Sequence, residues 1–146
     1  SRNSAPTMTD TCWEDIAADM LARTENITLA SLDEGGFPRP VPMNRLSHQG
    51  LRTVWMTTVY GGEKARHFPR DPRAGLCFYT ERGSVSLTGE VEVLREPSLL
   101  ESFWQEGFRR YFPQGASDPQ YCLLRFTALQ GKGWIDGSFH AFRWER

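Results

Sequence analysis

With 146 residues, 17 basic and 18 acidic side chains and a formal charge of −1, the chain is sized for one domain and carries no basic field to attract nucleic acid. Aromatic residues make up 12% of it, five of them Trp, which suits either an aromatic core or a planar ligand. Cys12, Cys77 and Cys122 are odd in number, widely spaced and without a Cys-x-x-Cys pair, which argues against a disulfide framework and for a reducing cytoplasm.

In chain order, residues 1–7 (SRNSAPT) are small and polar and precede Met8. They read as a leader left over from expression, which makes 8–146 a single domain. Thr11-Cys12-Trp13-Glu14 has the form of a capping box, and Trp13, Ile16, Ala17, Met20 and Leu21 share one helical face. Ile27 to Leu32 reads as a strand, closed by the turn Asp33-Glu34-Gly35-Gly36. Phe37 to Leu46 returns as a second strand in which Pro38, Pro40 and Pro42 remove backbone donors on one side. That strand must therefore be an edge or be paired on one side only. Its alternate set, Arg39, Val41 and Met43, faces one way together.

Ser47 to Gly50 reads as a turn, Leu51 to Thr58 as a third strand and Ala74 to Thr80 as a fourth. In Ser84 to Leu94 the residues Val85, Leu87, Val91 and Val93 alternate with polar ones, so one face is buried. Pro97 stands at a first helical position, and Leu100, Phe103, Trp104 and Phe108 predict a second amphipathic helix. Tyr121 to Ala128 and Gly133 to Asp136 are strand-like, and Asp136-Gly137 is a hairpin turn into Phe139 to Trp144. The pattern is mainly β with short helices: about six or seven antiparallel strands, for which closure into a small barrel hides the edges. No apolar run reaches membrane length.

Thr53 to Pro72 is the stretch with chemistry in it. A strand ends in Thr57 and Thr58, passes through Gly61-Gly62 and enters a short helix that carries Lys64. Two hydroxyls, free N–H groups at a helix start and an ammonium together suit a phosphate; the bland alternative is a connection whose Lys is solvated. Pro69 ends the helix early, so Lys64 is expected at the surface. His48, His67 and His140 have no partner at metal-ligand spacing, and no metal is expected. There is no Gly-x-Ser-x-Gly elbow and no Walker or Rossmann fingerprint.

The order of ITLASLDEGGFPRPVPM, VWMTT with EKARHFPRDP, SVSLTGEVEVL, FWQEGFRRYFPQGASDPQYCLLRF and WIDGSF resembles the pyridoxamine 5′-phosphate oxidase-like, FMN-binding split-barrel superfamily, in its general stress protein branch. The resemblance implies a split barrel that binds FMN in a groove between the two subunits of a homodimer, with hydride or electron transfer through the flavin and an unidentified small substrate. The alternatives are a non-catalytic protein that sequesters FMN or haem, and a split barrel without cofactor.

Carried over by position, the resemblance puts Thr57, Thr58 and Lys64 on the FMN phosphate. Arg39, Val41 and Met43 lie beside the isoalloxazine with Trp55 and Met56 nearby, and Trp134 of the other subunit covers the ring. Thr57 and Thr58 also read as ordinary strand-end residues, Arg39 as solvated and Trp134 as core or interface. His67 and His140 are proton donors only if they reach the flavin edge. Relatives commonly carry Arg where this chain has Val41, so a cation there is missing or supplied by Arg39. The chain ends at Arg146 without the longer C-terminal part that grips the substrate phosphate in the oxidases, so pyridoxamine 5′-phosphate is expected to be a poor substrate.

Overall fold

The computed structural model describes residues 8–146, with side chains from Trp13 onward. The leader assigned to residues 1–7 and the side chains of Thr11 and Cys12 lie outside the described residues. Helix α1 spans Met8–Ala22. Thr11 thus stands inside the helix rather than at its cap. The apolar face is the expected one, and Ala17, Met20 and Leu21 are fully buried.

Strands β1 (Asn26–Leu32) and β2 (Pro38–Asn44) form a hairpin. Its turn is held by the Asp33 carboxylate, which accepts from the N–H groups of Gly35 and Phe37 at 3.0 and 2.9 Å. Next come β3 (Ser47–Gln49), β4 (Thr53–Val59) and α2 (Glu63–Arg70). Strands β5 (Arg73–Thr80) and β6 (Gly83–Leu94) lead to α3 (Pro97–Phe103), which has Pro97 in its first turn. Two 3-10 turns, Glu106–Arg110 and Gly115–Ser117, precede β7 (Tyr121–Ile135) and β8 (Ser138–Arg143).

All pairings are antiparallel, in the order β2-β1-β5-β6-β7-β4-β3, with β8 on the second half of β7. The sheet curls into the mainly β split barrel that the pattern predicts, with β2 and β3 at the two ends of the pairing order. In β2 the register explains the edge. Asp33 N–H bonds to the Phe37 carbonyl, so the hydrogen-bonded pairs run on through Ser31 with Arg39, Leu29 with Val41 and Ile27 with Met43. Pro38, Pro40 and Pro42 therefore turn their donor-less nitrogens to the free side, as the alternation requires.

Three details differ from the sequence reading. The described residues form eight strands, because Ser47–Gln49, expected as part of a turn, pairs with Thr53 to Trp55. The two expected pieces Tyr121 to Ala128 and Gly133 to Asp136 are one strand. A register shift opposite Thr88/Gly89 changes the inward set from Leu124, Phe126 and Ala128 to Gly131, Gly133 and Ile135. A one-residue bulge inverts the alternation, which is why the strand reads as two. The second amphipathic helix also stops at Phe103. Trp104 has extended backbone (φ −62°, ψ 136°), its indole N–H donates to Glu106 at 2.8 Å, and its ring packs edge-on against Tyr121. Seating that ring on β7 outweighs one more helical turn.

The barrel core combines the inward faces of the strands with α1 and with Phe68 of α2. A second cluster, Trp55, Leu100, Phe112, Tyr121 and Leu123, fills the space between α3 and the outer face of β4 and β7. Within the second cluster the Tyr121 hydroxyl donates to the Leu100 carbonyl at 2.8 Å, and next to it along β7 the Cys122 thiol donates to the Thr58 carbonyl. Burial pushes Tyr121 up from 10.0 to about 12 and Cys122 up from 9.0 to about 11. The folded protein thus retains protons that the unfolded chain releases, so stability is whole below about pH 9 and falls as pH rises toward the folded values. Urea midpoints taken from about pH 8 to about pH 11 should decline steadily above pH 9. A flat series would mean that neither proton is linked to folding.

Candidate functional site

Gly62, in extended backbone, caps α2, and the Arg66 N–H bonds back to the Gly62 carbonyl. That leaves the N–H groups of Glu63, Lys64 and Ala65 ahead of the first helical bond. Positions 64, 67 and 68 share one helical face, so Lys64 and His67 go inward with Phe68. The expected surface position of Lys64 is thereby corrected: its relative exposure is 5%. The Lys64 ammonium donates to Ser31 Oγ at 2.7 Å and to the Arg39 carbonyl, and Ser31 Oγ lies 2.8 Å from His67 Nδ1. Ser31 and His67 are buried as well.

Sequence reasoning missed Ser31 as a site residue. The signal was there in phase: Ile27, Leu29 and Ser31 point to one side of β1, toward the helix face that carries Lys64 and His67. Burial lowers the Lys64 pKa; the nearby Glu63 carboxylate opposes this and the Arg39 guanidinium adds to it. Arg39, about half exposed, lies 3.7 Å from the equally exposed Glu63.

Val41 and Met43 continue the face of Arg39. Val41 is half-buried, and Met43 packs against the barrel core. Strand β4 splits its four candidates between two faces. Met56, expected near the flavin, is fully buried in the barrel core. Trp55 is buried on the other side, 4.5 Å from the Phe103 ring and beneath Arg125, with no acceptor for its indole N–H among the described residues. Thr57 shares that outer side and lines a cleft of about 330 Å³ with Asn44, Gln105, Phe108 and Tyr111. Thr58 has the parity of Met56. Adjacent strand residues point apart, so Thr57 and Thr58 cannot hold one phosphate from the same side.

Trp134 lies on the open outer face of the sheet. The pairings Tyr79 with Ser84, Ser84 with Trp134 and Trp134 with Phe139 set these residues in one row across four strands. The three aromatic rings are 78%, 57% and 58% exposed. In the hairpin that carries Trp134 and Phe139, Asp136 and Gly137 have φ of 51° and 81°, and Arg82 holds the Asp136 carboxylate at 2.6 and 3.1 Å. His140 stacks on Trp13 at 3.9 Å, and His48 bonds the Gly50 carbonyl. Among the described residues, no three His, Cys, Asp or Glu side chains gather as a metal site, and no helix is long and apolar enough to cross a membrane.

A family profile described as pyridoxamine 5′-phosphate oxidase matches residues 14–135. The chain belongs to that family. A protein related to general stress protein 26 of Bacillus subtilis, of the pyridoxinephosphate oxidase family, from Clostridium acetobutylicum shares the fold. Its TM-score is 0.81 at 24% identity, over 92% of this chain and 96% of that one. General stress protein 26 from Bacillus anthracis matches with TM-score 0.70 at 14% identity, over 89% and 97% of the two chains. A heme binding protein from Mycobacterium smegmatis matches with TM-score 0.70 at 16% identity, over 97% of this chain and 60% of that one. At these identities the likeness is one of fold. No curated protein matches the chain.

Proposed function

We propose that this member of the pyridoxamine 5′-phosphate oxidase family binds FMN as a homodimer in the cytoplasm and acts as a flavin-dependent oxidoreductase on a small substrate. The observation that carries the reading is the buried Lys64 ammonium at the start of α2. Both of its acceptors, Ser31 Oγ and the Arg39 carbonyl, are neutral, and free helix-start N–H groups lie beside it. A cation with two neutral acceptors and one N–H to spare fits a phosphate. Arg39 adds positive charge, partly offset by Glu63. Lys64, the first turn of α2 and Thr58 would hold the phosphate, while Arg39, Val41 and Met43 would flank the ring. Thr57, on the other side of β4, belongs to the neighbouring cleft. Bound flavin supplies the hydride or electron transfer; the chain supplies binding and electrostatics.

The test is a fluorescence titration of FMN against riboflavin. FMN should bind roughly ten- to a hundredfold more tightly, the worth of one charge-assisted contact. Equal affinities would remove the phosphate site.

A second reading, a non-catalytic protein that sequesters FMN or haem, draws support from the fold shared with the heme binding protein of M. smegmatis. An absorption spectrum of purified protein separates a flavin from a haem band. Reduction by NAD(P)H followed by reoxidation with an acceptor separates enzyme from binder.

The dimer would form through the open aromatic row. Three exposed rings in one row are what a second copy would cover, and Trp134 would then reach the partner's flavin. Trp134→Lys should shift the protein toward monomer in light scattering and release flavin with it. A monomeric wild type that holds FMN tightly would overturn the arrangement.

A further inference from the structure

Buried lysines are normally neutralised by a carboxylate. Lys64 has none within ion-pair distance among the described residues: the carboxylate of its chain neighbour Glu63 faces Arg39 and is about half exposed. Its partners are a main-chain carbonyl and a hydroxyl, and the hydroxyl is itself committed. Lys64 can only donate, so Ser31 Oγ accepts from it and has one hydrogen left to give. Assigned to His67 Nδ1, 2.8 Å away, that hydrogen makes Nδ1 the acceptor. A proton on Nδ1 would set two donors against Ser31 and strand its own hydrogen.

The chain Lys64–Ser31–His67 is thus ordered in one direction, and each member is at least nine-tenths buried. It fixes the ammonium without cancelling its charge. We infer that Ser31 and His67 are positioning residues that hold Lys64 as an uncompensated cation, so that the missing counter-ion is the phosphate of the ligand. This rests on the reading of Lys64 as the phosphate contact, and assigns its strength to the cradle as well as to the lysine.

The experiment compares FMN with riboflavin on Ser31→Ala, His67→Leu and His67→Asn, with thermal unfolding of each ligand-free variant. Asn places an amide oxygen about where Nδ1 stands and can take the Ser31 hydrogen; Leu cannot. Ser31→Ala and His67→Leu should lose about tenfold in FMN affinity with riboflavin affinity unchanged, and His67→Asn should stay within about threefold of wild type. A merely structural role would weaken both flavins alike, and that result overturns the inference. So does wild-type FMN affinity in Ser31→Ala, or equal behaviour of His67→Asn and His67→Leu. The two His67 variants keep the comparison open should Ser31→Ala fail to fold. Equal binding of FMN and riboflavin by the wild type would instead remove the phosphate reading itself, which separates the two failures.

Discussion

Lys64→Met is expected to lower FMN affinity by roughly ten- to a hundredfold while leaving the ligand-free fold at least as stable as wild type. The two effects part because Lys64 is 5% exposed and its ammonium sits among neutral acceptors. Burial already disfavours its charge. Methionine has a similar length, needs no hydrogen bond and can lie along the same path beside Phe68. Ser31 keeps its bond to His67, and the Arg39 carbonyl keeps its place in the β1–β2 ladder. What vanishes is the charge that a phosphate would seek. Flavin titration and thermal unfolding of the same ligand-free protein measure both quantities. If the variant binds FMN like wild type, Lys64 has no part in ligand binding. If it unfolds well below wild type, the lysine is part of the structural frame.

Gly89→Ala should be strongly destabilising, with a loss of about 3 kcal/mol and a fall in Tm of roughly 6–12 °C. A Cβ there would stand 2.1 Å from the Thr127 carbonyl oxygen and 2.8 Å from Ala128 Cα. Both are backbone atoms of β7, at the point where the register shifts, and neither can turn aside as a side-chain tip would. Gly75→Ala is the matched control one strand away. Its Cβ would meet only the Leu87 carbonyl at 3.9 Å, an ordinary contact, so its Tm should stay near wild type. Equal Tm values for the two variants would mean that β6 and β7 have room to separate.

The alternation of Val85, Leu87, Val91 and Val93 against polar residues determined a strand with one buried face, and the structure has it in β6. The prolines of β2 determined an edge, because a residue without an N–H cannot serve an interior ladder. Asp136-Gly137 determined the hairpin, since both residues must adopt positive φ and these two tolerate it. Such features are local, fixed by a few neighbouring residues, and so legible without the fold. The helix carrying Lys64 after a Gly-Gly loop was legible in the same way.

Where that lysine points was not. Its burial depends on β1 bringing Ser31 from 33 residues away, and on α2 turning the face of His67 and Phe68 to the core. The two-sided split of Trp55 and Thr57 from Met56 and Thr58 follows period 2, yet which side meets solvent and which meets α3 depends on packing. The inversion within β7 depends on a bulge that only the register against β6 reveals. Pairing partners and covering layers are set by contacts between segments far apart in the chain, and a single sequence does not print those distances. Strands, edge and turn were therefore determined by the sequence itself, whereas the ammonium's burial and its cradle of Ser31 and His67 were decided by the tertiary structure.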